Sequence, residues 1–194
     1  MKKKNAIGAL VMAAMILVSV PLGANRSFER LREEALGEYY YDNTGYALYE
    51  GLDKQVETAH NLLLVAKRYR ESYPELESNI EDLTYQINRC ERLYDNGAVE
   101  EVEYHAALCQ SAETLVAKLE GLKLDEKDEK YPGQQISRLR SEQDKLERSS
   151  YNDGAREYNQ RLGRFPLLKQ LGWTRPLGVF GESAVADVIE QSAE

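Results

Sequence analysis

Apolar residues through the middle of the chain recur at steps of three and four. Leu48, Leu52, Val56, Ala59, Leu63, Ala66, Tyr69, Tyr73, Leu76, Ile80, Leu83, Ile87, Cys90 and Tyr94 form one seam, the stripe of an amphipathic helix or a coiled coil. From 48 to 94 the seam covers 47 residues, about 70 Å at 1.5 Å per residue. Pro74 interrupts it, removing a backbone donor and crowding the preceding turn. Because the phase continues on both sides of the proline, the pattern predicts one long helix kinked at Pro74. Asp95, Asn96 and Gly97 then predict a stop and a turn.

A second stripe runs through Val102, Ala106, Leu108, Ala112, Leu115, Leu119 and Leu122, widened by Cys109 and Val116. It fades in the charged run 125–130, and Tyr131, Pro132 and Gly133 make a second reversal. The third stripe is Ile136, Leu139, Gln143, Leu146, Tyr151, Ala155, Tyr158, Leu162 and Phe165. It slips by one position near Ser150, as a straight helix does against a heptad, and Pro166 ends it. Residues 27–41 read as a short helix through Phe28, Leu31 and Ala35. The fold class expected is therefore all-α. Its architecture is an elongated antiparallel bundle of three long helices, the first kinked at Pro74, plus a short N-terminal helix. The tail beyond Pro166 is rich in Gly and Pro but carries Trp173, Leu177, Val179 and Phe180. Such apolar residues are expected to dock on the bundle.

The N-terminus has a different pattern. Lys2, Lys3 and Lys4 precede 19 uncharged, mostly apolar residues from Ala6 to Ala24, close to the roughly 20 needed to span a bilayer. The basic end belongs in the cytoplasm, which places everything after it outside. The same pattern describes a secretory signal with a cut near Ala24. Length favours a retained anchor, and Leu22 is a poor residue for a cleavage site. Two units follow: residues 1–25 as a membrane anchor or signal segment, and 26–194 as a helical bundle with a docked tail.

Composition narrows the function. With 25 Lys+Arg against 33 Asp+Glu, the net charge is -8, so no nucleic-acid partner is expected. There is no Ser-His-Asp arrangement, P-loop or GxGxxG. His60 and His105 lack the spacing of metal ligands, and the acids of 125–130 lack the glycine and closing glutamate of a calcium loop. No catalytic, cofactor-binding or metal-binding residue is assigned, no cofactor or small-molecule substrate is expected, and the chain reads as a non-enzyme. Cys90 and Cys109 flank the turn at Gly97. A disulfide is allowed outside the cytoplasm, but pairing about that turn offsets the two along the axis, so buried thiols are the expectation.

The dipeptides Tyr151-Asn152 and Tyr158-Asn159 lie seven residues apart, so both face the same way on a helix. They could form a polar, aromatic surface for a ligand or partner. The spacing is equally what packing requires, with each Tyr against a neighbouring helix and each Asn bonded to loop backbone, and that reading is favoured.

These dipeptides also carry a resemblance. Tyr131-Pro132-Gly133, Ile136, Leu139, Glu142, Leu146 and Glu147, then 148–153 and 156–161 followed by Phe165-Pro166, are similar to the LemA family. Leu171-Gly172-Trp173, Pro176 and Phe180 resemble its closing segment. Arg68, Glu71, Pro74 and Leu76 resemble a degraded form of its Arg-rich motif, with Tyr69 and Ser72 as departures. The resemblance spans about 46 to 180. It implies a layout and no activity: one N-terminal membrane segment, then an elongated antiparallel helical domain in the bacterial cell envelope. The expectation is a single-pass, membrane-tethered scaffold or interaction module with an unidentified envelope protein as partner. The alternative is a secreted or periplasmic binding protein released by cleavage near Ala24.

Overall fold

A computed structural model describes residues 19, 23–39, 47–92, 99–166 and 174–182. These residues are all-α, with no strand among them. Helix α1 occupies 23–39, α2 Leu48–Tyr69, α3 Glu77–Arg92, α4 Val99–Glu120, α5 Tyr131–Glu147 and α6 Ser150–Gly163. Among the described residues no helix is long and apolar enough to cross a membrane. The apolar run that begins at Ala6 lies almost wholly outside them.

The single helix kinked at Pro74 is corrected to two helices folded against each other. Ser72 and Tyr73 both donate main-chain N–H groups to the Tyr69 carbonyl, closing α2 with a turn. Tyr73 then sits at φ -136, ψ 80, because the ring of a following proline disfavours helical backbone. Pro74 opens the short 3₁₀ turn Pro74–Leu76, a position where its missing N–H leaves nothing unbonded. The proline therefore starts an element instead of bending one. His60 on α2 reaches Glu91 on α3 at 2.8 Å, so α3 returns antiparallel along α2.

Helices α3 and α4, and then α4 and α5, also pack antiparallel, while the turn expected at Asp95, Asn96 and Gly97 lies outside the described residues. Ser111 donates to Asp82 at 2.6 Å, and the Arg89 guanidinium lies 3.6 Å from the centre of the Tyr104 ring. These contacts move in opposite directions along α3 and α4, as antiparallel packing demands. Arg140 on α5 donates to Glu113 on α4 at 2.8 Å. Helices α2 to α5 thus form an up-down-up-down four-helix bundle.

The long third helix is likewise two. Ser149 sits at φ -71, ψ 152 and caps α6, its hydroxyl accepting from the Asn152 N–H. The slip of phase near Ser150 marks this break. Gly154 lets α6 approach α1 closely, since a Cβ there would stand 3.2 Å from that of Ala35.

Two apolar clusters result. The bundle core is almost entirely aliphatic, with Leu76, Leu83, Leu108, Leu115 and Leu119 sealed from solvent. The second cluster closes one end of the bundle and is rich in rings: Phe28 and Tyr39 of α1, Tyr151 and Tyr158 of α6, and Phe180 of the tail. Phe28 meets Tyr158 edge-to-face at 6.0 Å, and Tyr39 meets Tyr151 at 6.0 Å, an arrangement aromatic quadrupoles prefer.

Candidate functional site: a clamp for an extended segment

Helix α6 exposes its Arg and Glu residues and buries Tyr151, Asn152, Ala155, Tyr158 and Leu162. The buried face carries both Tyr-Asn pairs, and the tail 175–182 lies along it. Tyr158 donates from its hydroxyl to the Arg175 carbonyl at 3.2 Å. Asn159 donates to the Leu177 carbonyl at 2.7 Å and accepts the Leu177 N–H at 2.8 Å. The second pair repeats the scheme three tail residues further on. Tyr151 donates to the Gly178 carbonyl at 3.0 Å. Asn152 donates to the Phe180 carbonyl at 2.9 Å and accepts its N–H at 2.8 Å.

Spacing explains the register. Seven helical residues advance about 10.5 Å. Three residues of extended chain advance about 9 to 10 Å, and a polyproline-like chain repeats its face every third residue. An i, i+7 pair on the helix is therefore matched by an i, i+3 pair on the tail, running antiparallel. Each Asn side chain presents one donor and one acceptor, the same complement a neighbouring strand would offer.

Residues 179–182 form a turn. Glu182 donates its N–H to the Val179 carbonyl, and Gly181 takes φ 82, which disfavours any residue with a Cβ. A Cβ at Gly181 would also meet Glu147 Cδ at 2.7 Å. Past the turn, Arg156 donates to Glu182 at 2.8 Å. Leu177, Val179 and Phe180 are buried. Burial raises the Tyr158 phenol above its usual pKa, partly offset by Arg32, so the hydroxyl stays protonated as the donor the clamp needs.

The four residues singled out in the sequence, Tyr151, Asn152, Tyr158 and Asn159, are thus brought together on one face. Sequence reasoning missed Gly181, Glu147 and Arg156, because their roles depend on where the tail turns. The expected docking of the tail is seen for Leu177, Val179 and Phe180, while Trp173 lies outside the described residues.

The other candidates are engaged in packing. Cys90 and Cys109 are buried thiols, not a disulfide. With Arg89 level with Tyr104, Cys109 lies about 9 Å beyond Cys90 along the axis, outside the reach of a bridge. Burial pushes the Cys109 thiol up to about 12, which leaves it without thiolate character. His105 takes the core position expected of Ala106, which is exposed. Its Nδ1 lies 3.1 Å from the Gln55 side-chain oxygen, and burial lowers its pKa to about 3. His60 is paired on the surface with Glu91. The charged run 125–130 is not wholly solvated: Asp128 is buried, accepting from Arg68 and from the Tyr69 hydroxyl at 2.9 Å each. Tyr69 in turn accepts the Asp125 N–H.

An open groove of about 230 Å³ between α1 and α6 is lined by Glu34, Glu38 and Glu157. All three carboxylates have partners, namely Arg30, Ser150 and Arg161. Among the described residues no group of three or more His, Cys, Asp or Glu side chains is placed to hold a metal.

No family profile, curated protein or solved structure matches the chain.

Proposed function

We propose that this chain is a membrane-tethered helical module of the LemA type, held outside the cytoplasm and acting by protein interaction instead of catalysis. The observation that carries the reading is the use to which its reactive side chains are put. His105 is bonded to Gln55, the Cys109 thiol is buried, Asp128 is held by Arg68 and Tyr69, and both Tyr-Asn pairs bind main chain. The tether is supported by Lys2 to Lys4 followed by the uncharged run from Ala6 to Ala24. An envelope protein is the partner class that fits this placement.

Release by cleavage near Ala24 is the second reading, favoured by Pro21 and by the small residue at 24. Against it, Ala24 packs on the ring-rich cluster, and Asn25 donates to Glu29 within the first turns of α1. A cut there would leave α1 without its start.

Protease added to intact, wall-stripped cells tests the topology. Digestion of the helical domain without lysis is the expected result, and digestion only after lysis would overturn the reading. The mass of the mature protein separates the two forms, since the anchored one keeps its first 24 residues.

A further inference from the structure

The clamp on α6 recognises main chain. Tyr158 binds the Arg175 carbonyl, Asn159 both groups of Leu177, Tyr151 the Gly178 carbonyl, and Asn152 both groups of Phe180. Specificity is added at three places. Leu177, Val179 and Phe180 fill the ring-rich cluster, Gly181 turns at φ 82, where a residue with a Cβ is strained, and Glu182 meets Arg156. None of these contacts depends on the covalent link between α6 and the tail. An identical segment arriving from elsewhere would make the same bonds.

We propose that this face of α6 is a binding site for an extended peptide, and that its occupant in trans is the 175–182 segment of a second copy of this chain. The second copy is favoured because the site demands an apolar residue, a second apolar residue three positions on, then Gly and an acid. Leu177, Phe180, Gly181 and Glu182 supply that order. Reciprocal exchange makes a two-fold pair of chains, each tail in its partner's clamp. In a dilute single chain the attached tail wins, since a short link holds it at an effective concentration of about millimolar. Exchange is revealed when that advantage is removed. The proposal extends the interaction-module reading and does not depend on the membrane tether.

The test separates donating a tail from accepting one. Gly181→Val spoils a chain's own tail and leaves its clamp intact. Asn152→Ala with Asn159→Ala spoils the clamp and leaves the tail intact. Full-length chains carrying these changes and different affinity tags are purified in detergent and mixed. The expected result is co-purification of the two variants at least tenfold above that of either variant mixed with a differently tagged copy of itself. A synthetic peptide of residues 174–182 should bind the Gly181→Val chain saturably and compete with the partner chain, whereas a scrambled peptide should do neither. Circular dichroism confirms that both variants keep their helices; if Gly181→Val does not, Leu177→Asp replaces it as the acceptor. Folded variants that neither co-purify nor bind the peptide would overturn the peptide site. Peptide binding without co-purification would leave the site standing and overturn the second copy as its occupant. That result bears on neither protease topology nor the tether.

Discussion

In the four-helix bundle, Leu83, Leu108, Leu115 and Leu119 are fully buried among other aliphatic side chains, with the pair His105–Gln55 buried beside them, and the ion pairs His60–Glu91 and Arg140–Glu113 lie at the margins. At the closed end, the tail is held by tyrosine rings and by asparagines bonded to its main chain. The bundle is stabilised by apolar area removed from water and by close packing, which are non-directional and spread over many residues. The clamp depends on directional bonds in a buried place, where removing one partner leaves the other unbonded. The first should tolerate volume-conserving changes and fail on a charge. The second should fail locally on the loss of a few atoms, while the bundle survives.

Leu83→Asp tests the bundle and carries the largest effect. It places an unpaired carboxylate in a fully sealed site and should cost more than about 4 kcal/mol. Thermal unfolding should show the whole domain destabilised, with Glu81→Ala on the exposed face of α3 nearly silent.

Asn152→Ala tests the clamp. It removes two bonds to Phe180 and a third to the Glu147 carbonyl, for a cost of about 2 to 3 kcal/mol. Asn159→Ala, with two such bonds, should cost less. Hydrogen exchange should show the Leu177 and Phe180 amides released while those of α3 and α4 stay protected. If α3 and α4 open together with the tail, the two regions are one cooperative unit and the contrast fails.

His105 offers a pH handle on the bundle alone. Its pKa is lowered to about 3 in the fold by burial, against about 6.5 unfolded. The unfolded chain therefore binds the extra proton between those values, so stability rises with pH through that window and is lost as pH falls from 6.5 toward 3. At about 1.4 kcal/mol per pH unit, the loss from pH 6.5 to 5 is about 2 kcal/mol. Chemical denaturation at both pH values should show this loss in the wild type and not in His105→Gln. Equal slopes would mean that His105 reaches water.

Pro74→Ala should be the smallest effect. The residue opens a turn between antiparallel helices, so alanine adds freedom to the unfolded chain and costs less than about 1 kcal/mol. A large gain in stability would instead favour a helix continuous through 70–77.

The two regions also differ in how far they can be read from sequence. Of the first seam, every residue from Leu48 to Tyr69, and Leu76, Ile80, Leu83, Ile87 and Cys90 after it, is buried. The apolar period reports which face is inside, and it does so reliably. It does not report direction. Both arms of a hairpin face the same core, so a seam keeps its step of three or four through Tyr69, Tyr73 and Leu76 whether the chain runs on or turns back. The local signal for turning was Tyr73 ahead of Pro74, and for the second break it was Ser149 as a cap. His105 was passed over for Ala106 because a histidine reads as polar until Gln55 is seen beside it. In the clamp, the period of seven in α6 was visible. The matching period of three in the tail was not, because the apolar step from Leu177 to Phe180 does not say that the backbone groups of those residues are the ones bonded.

The partnership between α1 and α6 has a kinetic consequence. Glu38 accepts from Ser150 across 112 positions of sequence, whereas the turns from α2 to α5 join near neighbours. Local hairpins close first, and pairings between distant segments close late. At about 5 to 20 residues per second of synthesis, α1 waits roughly 5 to 20 s for its partner to exist. Throughout that interval Phe28, Ala35 and Tyr39, all buried in the finished protein, have no surface of their own chain to cover them. The newborn chain is therefore most prone to sticking at its first helix, and a chaperone or membrane surface that shields α1 would act before any other part of the fold needs help.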